Sequence, residues 1–445
     1  MEYIPSNPAE VKEMLASIGA SGIDELFAPI PASARIEKLH LPDGISEHAL
    51  VKRFQTLAAK NRSLDNLVCF RGAGVYDHFI PTLVEDIISR PEFYTAYTPY
   101  QAEASQGTLQ TIFEYQSMIC ALTGLDVANA SLYDGATAVA EAVLLAMRTS
   151  GRSSVILSAG IHPEYREVVA TYLQGIASEI VTIPLVNGAT PAAALKQAIN
   201  EKTAAIVIQS PNFVGTVEEM AVVGTLVAAN NALFIAVVNP ISLGLLASPQ
   251  EVGAHIAVGE GQALGNPSGM GGFSFGFMAC RKELSWKMPG RIVGQTTDTQ
   301  GRRGFVLTLQ SREQHIRREK ATSNICTNAA LNALAGCVYM SGWGPDGLRT
   351  IAYTNAQKCR YAFEKIIAVP GFSPAFANQI FFNECAVKTT KNIQHLQKLL
   401  LKNGILGPMG LARWYPEFAD VVLFCVTEIR TKEEIDRLVE VLKQA

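Results

Sequence analysis

Four short stretches of the chain carry residues whose types and spacing could do chemistry. In SLYDGATAVAEA, residues 131–142, Asp134 precedes Gly135, Ala136 and Thr137, small residues that open a helix. Backbone N–H groups and the helix dipole at such an end can face an anion; the same sequence also makes a plain helix cap. His162 follows the apolar run SSVILSA and precedes Pro163, so its imidazole can stack on a flat ring or cap the helix that the proline begins. Asn239 and Pro240 close the run ALFIAVVN, and the loop 262–272, QALGNPSGMGG, carries Asn266 among small residues. Two further stretches are polar and aromatic for connectors. FYTAYTPYQAEASQGT, residues 93–108, spaces Tyr94, Tyr97 and Tyr100 three apart, with Gln101 and Glu103 nearby. Such a tyrosine row can pack a subunit surface or offer hydroxyls to a site. Residues 289–328 hold Arg302, Arg303, Arg312, Arg317 and Arg318. Arginine at that density makes salt bridges between subunits or a site for carboxylates and phosphates.

The elements that must position these residues alternate. Residues 103–122 place Leu109, Ile112, Phe113, Ile119 and Leu122 at a helical period, with Gly124 as the stop. A second helix runs from Gly135 to Ser150. SSVILSA, EIVTIPL, TAAIVIQS and ALFIAVVN then read as strands, separated by the helices PEYREVVATYLQGI, PAAALKQAIN and EEMAVVGTLVAANN. HIAVGEG and FSFGFMACR add two strands. Short, continuously apolar strands are those of a sheet covered on both faces, and the alternation predicts a mostly parallel sheet with right-handed crossovers. In such sheets ligands bind beyond the carboxyl ends of the strands, where all four stretches fall. A helix around SNICTNAALNALAGCVYMSG leads into a last section of mixed α+β character. Before residue 61 the chain differs: Asn7–Pro8 and Ser46 open two short amphipathic helices. Their apolar surface is too small for a separate core, so this arm is expected to wrap a neighbour.

Composition narrows the function. The 445 residues are 48% hydrophobic and 17% charged, with a net charge of −3, which excludes general disorder and makes nucleic acid a poor partner. No apolar run is long enough for a membrane span. The opening MEYIPSNPAEVKEML has acids and prolines where a signal peptide needs bases and an apolar stretch, so a cytoplasmic location is expected. The eight cysteines lie apart without a CxxC pair, mostly in apolar runs such as FMAC and VLFC, and read as buried, reduced side chains. The seven histidines are dispersed, so no dedicated metal site is expected.

The layout is that of an enzyme using pyridoxal phosphate, but two chemical handles are missing. On this architecture an Asp at position 239 would pair with the pyridine nitrogen and keep it protonated; Asn239 is neutral. A lysine would stand in the 262–272 loop, because a primary amine is needed for the imine link. None occurs between Lys202 and Lys282.

Together these stretches resemble the glycine decarboxylase family, the P-protein of the glycine cleavage system, and most closely subunit 1 of the two-subunit bacterial form. The resemblance is carried by YIPSNPAEVKEML, FYTAYTPYQAEASQGTLQTIFEYQSMI, LTGLDVANASLYDGATAVAEA, NPISLGLL with GEGQALGNP, and MPGRIVGQTTDTQGRRGFVLTLQSREQHIRREKATSNICTN. Phe70-Arg71-Gly72-Ala73-Gly74 departs at Arg71, where a bulky apolar residue is expected. The resemblance implies an α/β chain with the type I pyridoxal-phosphate-dependent transferase-like fold: a helical arm (1–62), a large domain (63–325) and a small α+β domain (326–445). It implies that subunit 2 holds the pyridoxal phosphate, with none bound covalently by this chain. Here Gly135, Ala136, Thr137, His162, Asn239 and Asn266 would form a vestigial pocket. Tyr97, Thr98, Tyr100, Ser323, Asn324 and Thr327 would line the mouth of the partner's active site. The implied activity is glycine decarboxylation with transfer of the aminomethyl group to the lipoyl arm of H-protein. The implied assembly is a heterotetramer, without nucleic acid or membrane. Two readings compete: a self-sufficient enzyme with a displaced lysine, Lys282 or Lys287, and a scaffold with no role in chemistry.

Overall fold

The computed structural model describes residues 6–36, 38–269 and 274–445. Tyr3, Ile4 and Pro5 of the first motif, and Met270, Gly271 and Gly272 of the 262–272 loop, lie outside the described residues.

The chain divides into two units, Met1–Arg62 and Ser63–Ala445. In the first, helix α1 (Pro8–Ser17) starts at Asn7, whose side-chain oxygen accepts from the Ala9 and Glu10 amides at 3.0 and 3.1 Å. The Glu10 carboxylate returns the bond to the Asn7 amide, completing a capping box. Helix α2 (Glu47–Ala58) is capped by Ser46. Neither helix buries a residue, and Ile18, Leu50 and Phe54 stay exposed.

The second unit is built on a seven-stranded sheet. In chain order its strands are β1 (Val127–Ala128), β2 (Ser154–Ser158), β3 (Glu179–Ile183), β4 (Thr203–Ser210), β5 (Leu233–Val238), β6 (Ile256–Glu260) and β7 (Gly276–Cys280). Their order across the sheet is β1-β7-β6-β5-β4-β2-β3. The pairs from β6 to β3 are parallel, and β7 runs antiparallel to both its neighbours. One face packs on α3 (Gln106–Thr123), which ends at Gly124 with φ 74°, and on the long helix α5 (Ala330–Ile367). The other face packs on α4 (Gly135–Ser150), with Val139, Val143 and Leu145 against Val155, Val207 and Ile235. Double coverage is why the strand sequences are unbroken apolar runs.

Three differences from the sequence reading have physical causes. α5 starts at Ala330, two residues after the end of SNICTN (323–328), and runs on to Ile367 through a break at Gly344, which takes a left-handed φ of 64° before Pro345. Proline has no amide hydrogen and its ring clashes with the preceding turn, so the helix bends there. The polar stretch around GQTTDTQGRRG is not a connector but a hairpin, β8 (Ile292–Thr297) with β9 (Arg303–Thr308), closed by Asp298 and Gly301. Cys326 is exposed, unlike the expected buried thiols. A four-stranded antiparallel sheet, β10 (Phe372–Pro374), β11 (Glu384–Thr389), β12 (Met409–Gly410) and β13 (Val421–Cys425), follows towards the chain end. Among the described residues no helix is long and apolar enough to cross a membrane, and no group of three or more His, Cys, Asp or Glu residues is placed to hold a metal ion.

Candidate functional site

The parallel strands deliver their carboxyl ends to one edge of the sheet. β5 hands over to Asn239, β6 ends at Glu260, and His162 follows β2 by four residues. Around these ends lies a cavity of about 30 Å³, bordered by Gly74, His162, Tyr165, Gln209, Asn239 and Glu260. That is space for about one water molecule.

The reason is that the chain fills the site with its own side chains. Asp134 caps α4, accepting from the Thr137 amide at 2.7 Å, and the free Gly135 amide donates instead to the Glu260 carboxylate at 3.0 Å. A carboxylate thus sits where the helix end would receive an anion. Glu260 also accepts from the Gln262 amide (3.1 Å) and the Ser274 hydroxyl. Burial raises its pKa, partly opposed by these bonds. The flat ring that His162 stacks on is Tyr165, 4.7 Å away and inclined by 23°. The Tyr165 hydroxyl approaches Gly135 so closely that a Cβ there would meet it at 2.6 Å. His162 also caps its helix: Nδ1 accepts from the Glu164 amide (3.2 Å), while Nε2 must donate to the Ala73 carbonyl (3.1 Å). Its burial lowers its pKa, so the ring is held neutral. His162 thus caps its helix and packs on a ring of this chain, Tyr165.

The sequence-predicted pocket residues are therefore only partly brought together. Gly135, His162 and Asn239 converge. Ala136 is buried in the first turn of α4, and the Thr137 hydroxyl is taken up by Asp134. Asn266 is directed elsewhere, donating to the Leu264 and Asn332 carbonyls. The Asn239 side-chain oxygen caps the turn at Ile241 (3.0 Å), and its amide nitrogen is buried without a partner. Glu260 and Tyr165 were missed by the sequence reading. The signal available was an acid at the very end of an apolar strand, HIAVGEG.

Lysines are no nearer. β7 runs antiparallel, with Cys280 opposite Ile256 at the start of β6, so Lys282 and Lys287 leave from the amino edge of the sheet. Lys202 precedes β4 at that same edge. A five-residue strand separates the two edges by roughly 13 Å. The lysine-free loop, the neutral Asn239, the carboxylate at the α4 end and the small cavity do not fit pyridoxal phosphate in this chain.

The second candidate region lies around the hairpin. Tyr97 is 83% exposed and Tyr100 half exposed, while Thr98 is half buried. The Tyr100 hydroxyl accepts from Arg291 Nη2 at 3.0 Å, and its ring stands edge-on to His315 at 6.3 Å. Asn324 and Thr327 are exposed. The Ser323 hydroxyl donates to the buried Glu141 of α4 at 2.8 Å and accepts from the Ile325 amide at 3.1 Å, which fixes the start of this loop. The arginines noted in sequence do separate jobs: Arg302 pairs with Asp298 inside the hairpin turn (2.7 Å), Arg303 lies over Phe305, and Arg317 donates to the Ser311 carbonyl. Arg71 donates to the Gly407 carbonyl.

The sheet order, the covered faces and the ligand-type edge define a class. Solved structures with this fold include a sphingosine-1-phosphate lyase of Burkholderia pseudomallei (14% identity, TM-score 0.68, 93% of this chain and 94% of the other covered). A NifS-like protein of Rickettsia africae matches similarly (14% identity, TM-score 0.62, 85% and 99% covered). The chain therefore has the type I pyridoxal-phosphate-dependent transferase-like fold, α/β with a large, mostly parallel sheet. The family is narrower: the model of the glycine cleavage system P-protein family matches residues 1–442, and the chain belongs to that family. It is 57% identical over 446 residues to a probable glycine dehydrogenase (decarboxylating) subunit 1 of Endomicrobium trichonymphae, with 100% of each chain covered. A protein of the same description from Carboxydothermus hydrogenoformans is 53% identical, with 99% of each covered. A crystal structure of a glycine decarboxylase (P-protein) of the glycine cleavage system, in inhibitor-bound form, superposes at a TM-score of 0.92 with 43% identity over 100% of both chains.

Proposed function

We propose that this chain is the lysine-free subunit of a two-chain glycine decarboxylase, glycine dehydrogenase (aminomethyl-transferring), and that it completes an active site whose cofactor is held by subunit 2. The observation that carries this reading is the carboxyl edge of the sheet, which has no lysine and has the Glu260 carboxylate at the end of α4. Such a chain contributes to glycine decarboxylation through surfaces, not through its own pocket.

Pyridoxal phosphate, when bound by the partner, supplies the electron sink into which the bond to the departing carboxylate can drain. The residues of this chain serve that event by position. Tyr97, Thr98 and Tyr100 on one loop, and Ser323, Asn324 and Thr327 on the other, are neutral hydrogen-bonding groups. At the mouth of the partner's site they would orient the glycine carboxylate and keep water away. The Ser323–Glu141 bond anchors the second loop to α4. The complex passes the aminomethyl group to lipoylated H-protein and works as a cytoplasmic heterotetramer. Within this chain, residues 1–62 are an arm that wraps a neighbour, 63–325 a large domain and 326–445 a small one.

The test is to assay glycine–bicarbonate exchange with this chain alone, subunit 2 alone and the mixture. Exchange only in the mixture supports the reading. Activity of this chain alone would favour a self-sufficient enzyme, and full activity of subunit 2 alone a scaffold.

A further inference from the structure

Two arginines are buried at the base of the hairpin, Arg291 and Arg312, 3% and 6% exposed. Arg312 is fully used: Nε donates to the Leu309 carbonyl and Nη2 to that of Gly290, both at 2.9 Å, and Nη1 donates to the Met288 carbonyl. It is a structural tie. Arg291 stands one residue from that tie and is used differently. Nη2 donates to the Tyr100 hydroxyl, and the guanidinium carbon lies 5.2 Å from the centre of that ring. Nε and Nη1 are buried and have no hydrogen-bond partner. No carboxylate among the described residues forms an ion pair with it; the local acid, Glu313, faces His315 at 3.6 Å.

A guanidinium remains protonated at any working pH, so this cation cannot be relieved by losing its charge. Leaving two buried nitrogens without a protein partner costs far more than a satisfied buried arginine does. Its cover is thin on one side, where the half-exposed Tyr100 ring and the half-exposed His315 form the outer layer. Rotation of an exposed side chain is fast, so the Tyr100 ring against the guanidinium is a cover that can move. Arginine recognises carboxylate and phosphate through directed N–H bonds better than any other side chain.

We propose that Arg291, held by Tyr100, receives a small oxyanion brought to this face from outside the chain: the carboxylate of glycine or the phosphate of the partner's cofactor. The inference rests on the reading that the loop of Tyr97 to Tyr100 borders the partner's active site. It adds to that reading a buried cationic group that can neutralise a negative charge. Arg291 is a positioning or specificity residue for the complex.

The experiment uses the complex of this chain with subunit 2 and the variants Arg291→Gln, Arg291→Lys and Tyr100→Phe. Assembly is followed by light scattering, glycine kcat and KM by bicarbonate exchange, and cofactor affinity by titration with pyridoxal phosphate. Arg291→Gln is expected to assemble normally and to raise either the glycine KM or the pyridoxal phosphate Kd about 10- to 100-fold. Which constant moves identifies the carboxylate or the phosphate. Arg291→Lys, keeping charge but not the fork, should recover part of the loss, and Tyr100→Phe should move the same constant by a smaller factor. Both constants within twofold of the parental complex would overturn the proposal. So would lost assembly with unchanged constants in the complex that remains, since the anion would then be a partner side chain. If Arg291→Gln fails to fold, unchanged constants in the other two variants overturn it equally. An inactive parental mixture would instead reject the proposed function itself, and this inference with it.

Discussion

The carboxyl edge of the sheet and the face around Tyr100 are two places where polar groups gather among the described residues, and they are finished differently. At the carboxyl edge the chain answers almost every demand internally. The Gly135 amide meets Glu260, the His162 ring meets Tyr165 and both its nitrogens are bonded, and little more than a water's volume remains. Around Tyr100, large side chains remain exposed and a buried guanidinium lacks partners for two of its nitrogens. A site that has lost its ligand is under pressure to satisfy its own polar groups, because an unmet buried group costs free energy. A face that is completed in an assembly is under no such pressure. The contrast is between a region closed by its own side chains and one left open, although only the closed one has the layout of a cofactor pocket.

The largest expected effect within the closed region concerns Glu384. Its carboxylate accepts from the Ala73 amide (2.6 Å) and the Tyr76 hydroxyl (2.8 Å), tying down the segment that borders the cavity. Burial outweighs these bonds and raises its pKa to about 7. The unfolded carboxyl ionises lower, so between its ordinary pKa and about 7 the native state binds the extra proton and stability falls as pH rises. Denaturant unfolding of the parental chain should lose about 3 kcal/mol relative to Glu384→Gln between pH 4.5 and 7.5. Parallel profiles for the two proteins would show that Glu384 does not titrate there.

Tyr97→Phe and Asn324→Ala probe the open face. Each should lower exchange by the complex about 10- to 100-fold, or about 1–3 kcal/mol, with assembly intact. Parental rates in complexes that assemble normally would mean that these side chains only pack.

A smaller effect is expected from Gly135→Ala. Its Cβ would meet the Tyr165 hydroxyl at 2.6 Å and the Glu260 amide at 3.0 Å. Loss of about 1–2 kcal/mol of stability should follow, with exchange by the assembled complex unchanged. A variant as stable as the parent would indicate room that the closed site should not have.

Much of the frame was legible in the sequence. The strand Thr203–Ser210 and the helix Gly135–Ser150 match their apolar and small-residue patterns end to end, because both are buried and packing agrees with local preference. The hairpin 292–308 was read as a connector because one of its strands is mostly half exposed and its partner carries polar residues outward. The absence of a lysine was plain, whereas the carboxylate at the start of α4 was not: nothing in HIAVGEG says that Glu260 turns towards the amide of Gly135, 125 residues earlier in the chain. Arg291 escaped notice while five other arginines drew attention. Sequence counts charges, but burial decides which of them lacks a partner, and burial depends on contacts distant along the chain. PGRIVG, an arginine inside an apolar run, was the available hint.

The central claim is that this chain serves an active site without holding its cofactor, and labelling tests it most directly. The complex with subunit 2 is reduced with borohydride in the presence of pyridoxal phosphate, and the modified lysine is located by peptide mass analysis. The account predicts the label on subunit 2 and none on this chain, which alone should show no borohydride-sensitive absorption band near ~400–430 nm, where such protonated imines absorb. Stoichiometric label on a lysine of this chain, Lys282 or Lys287 included, would contradict it.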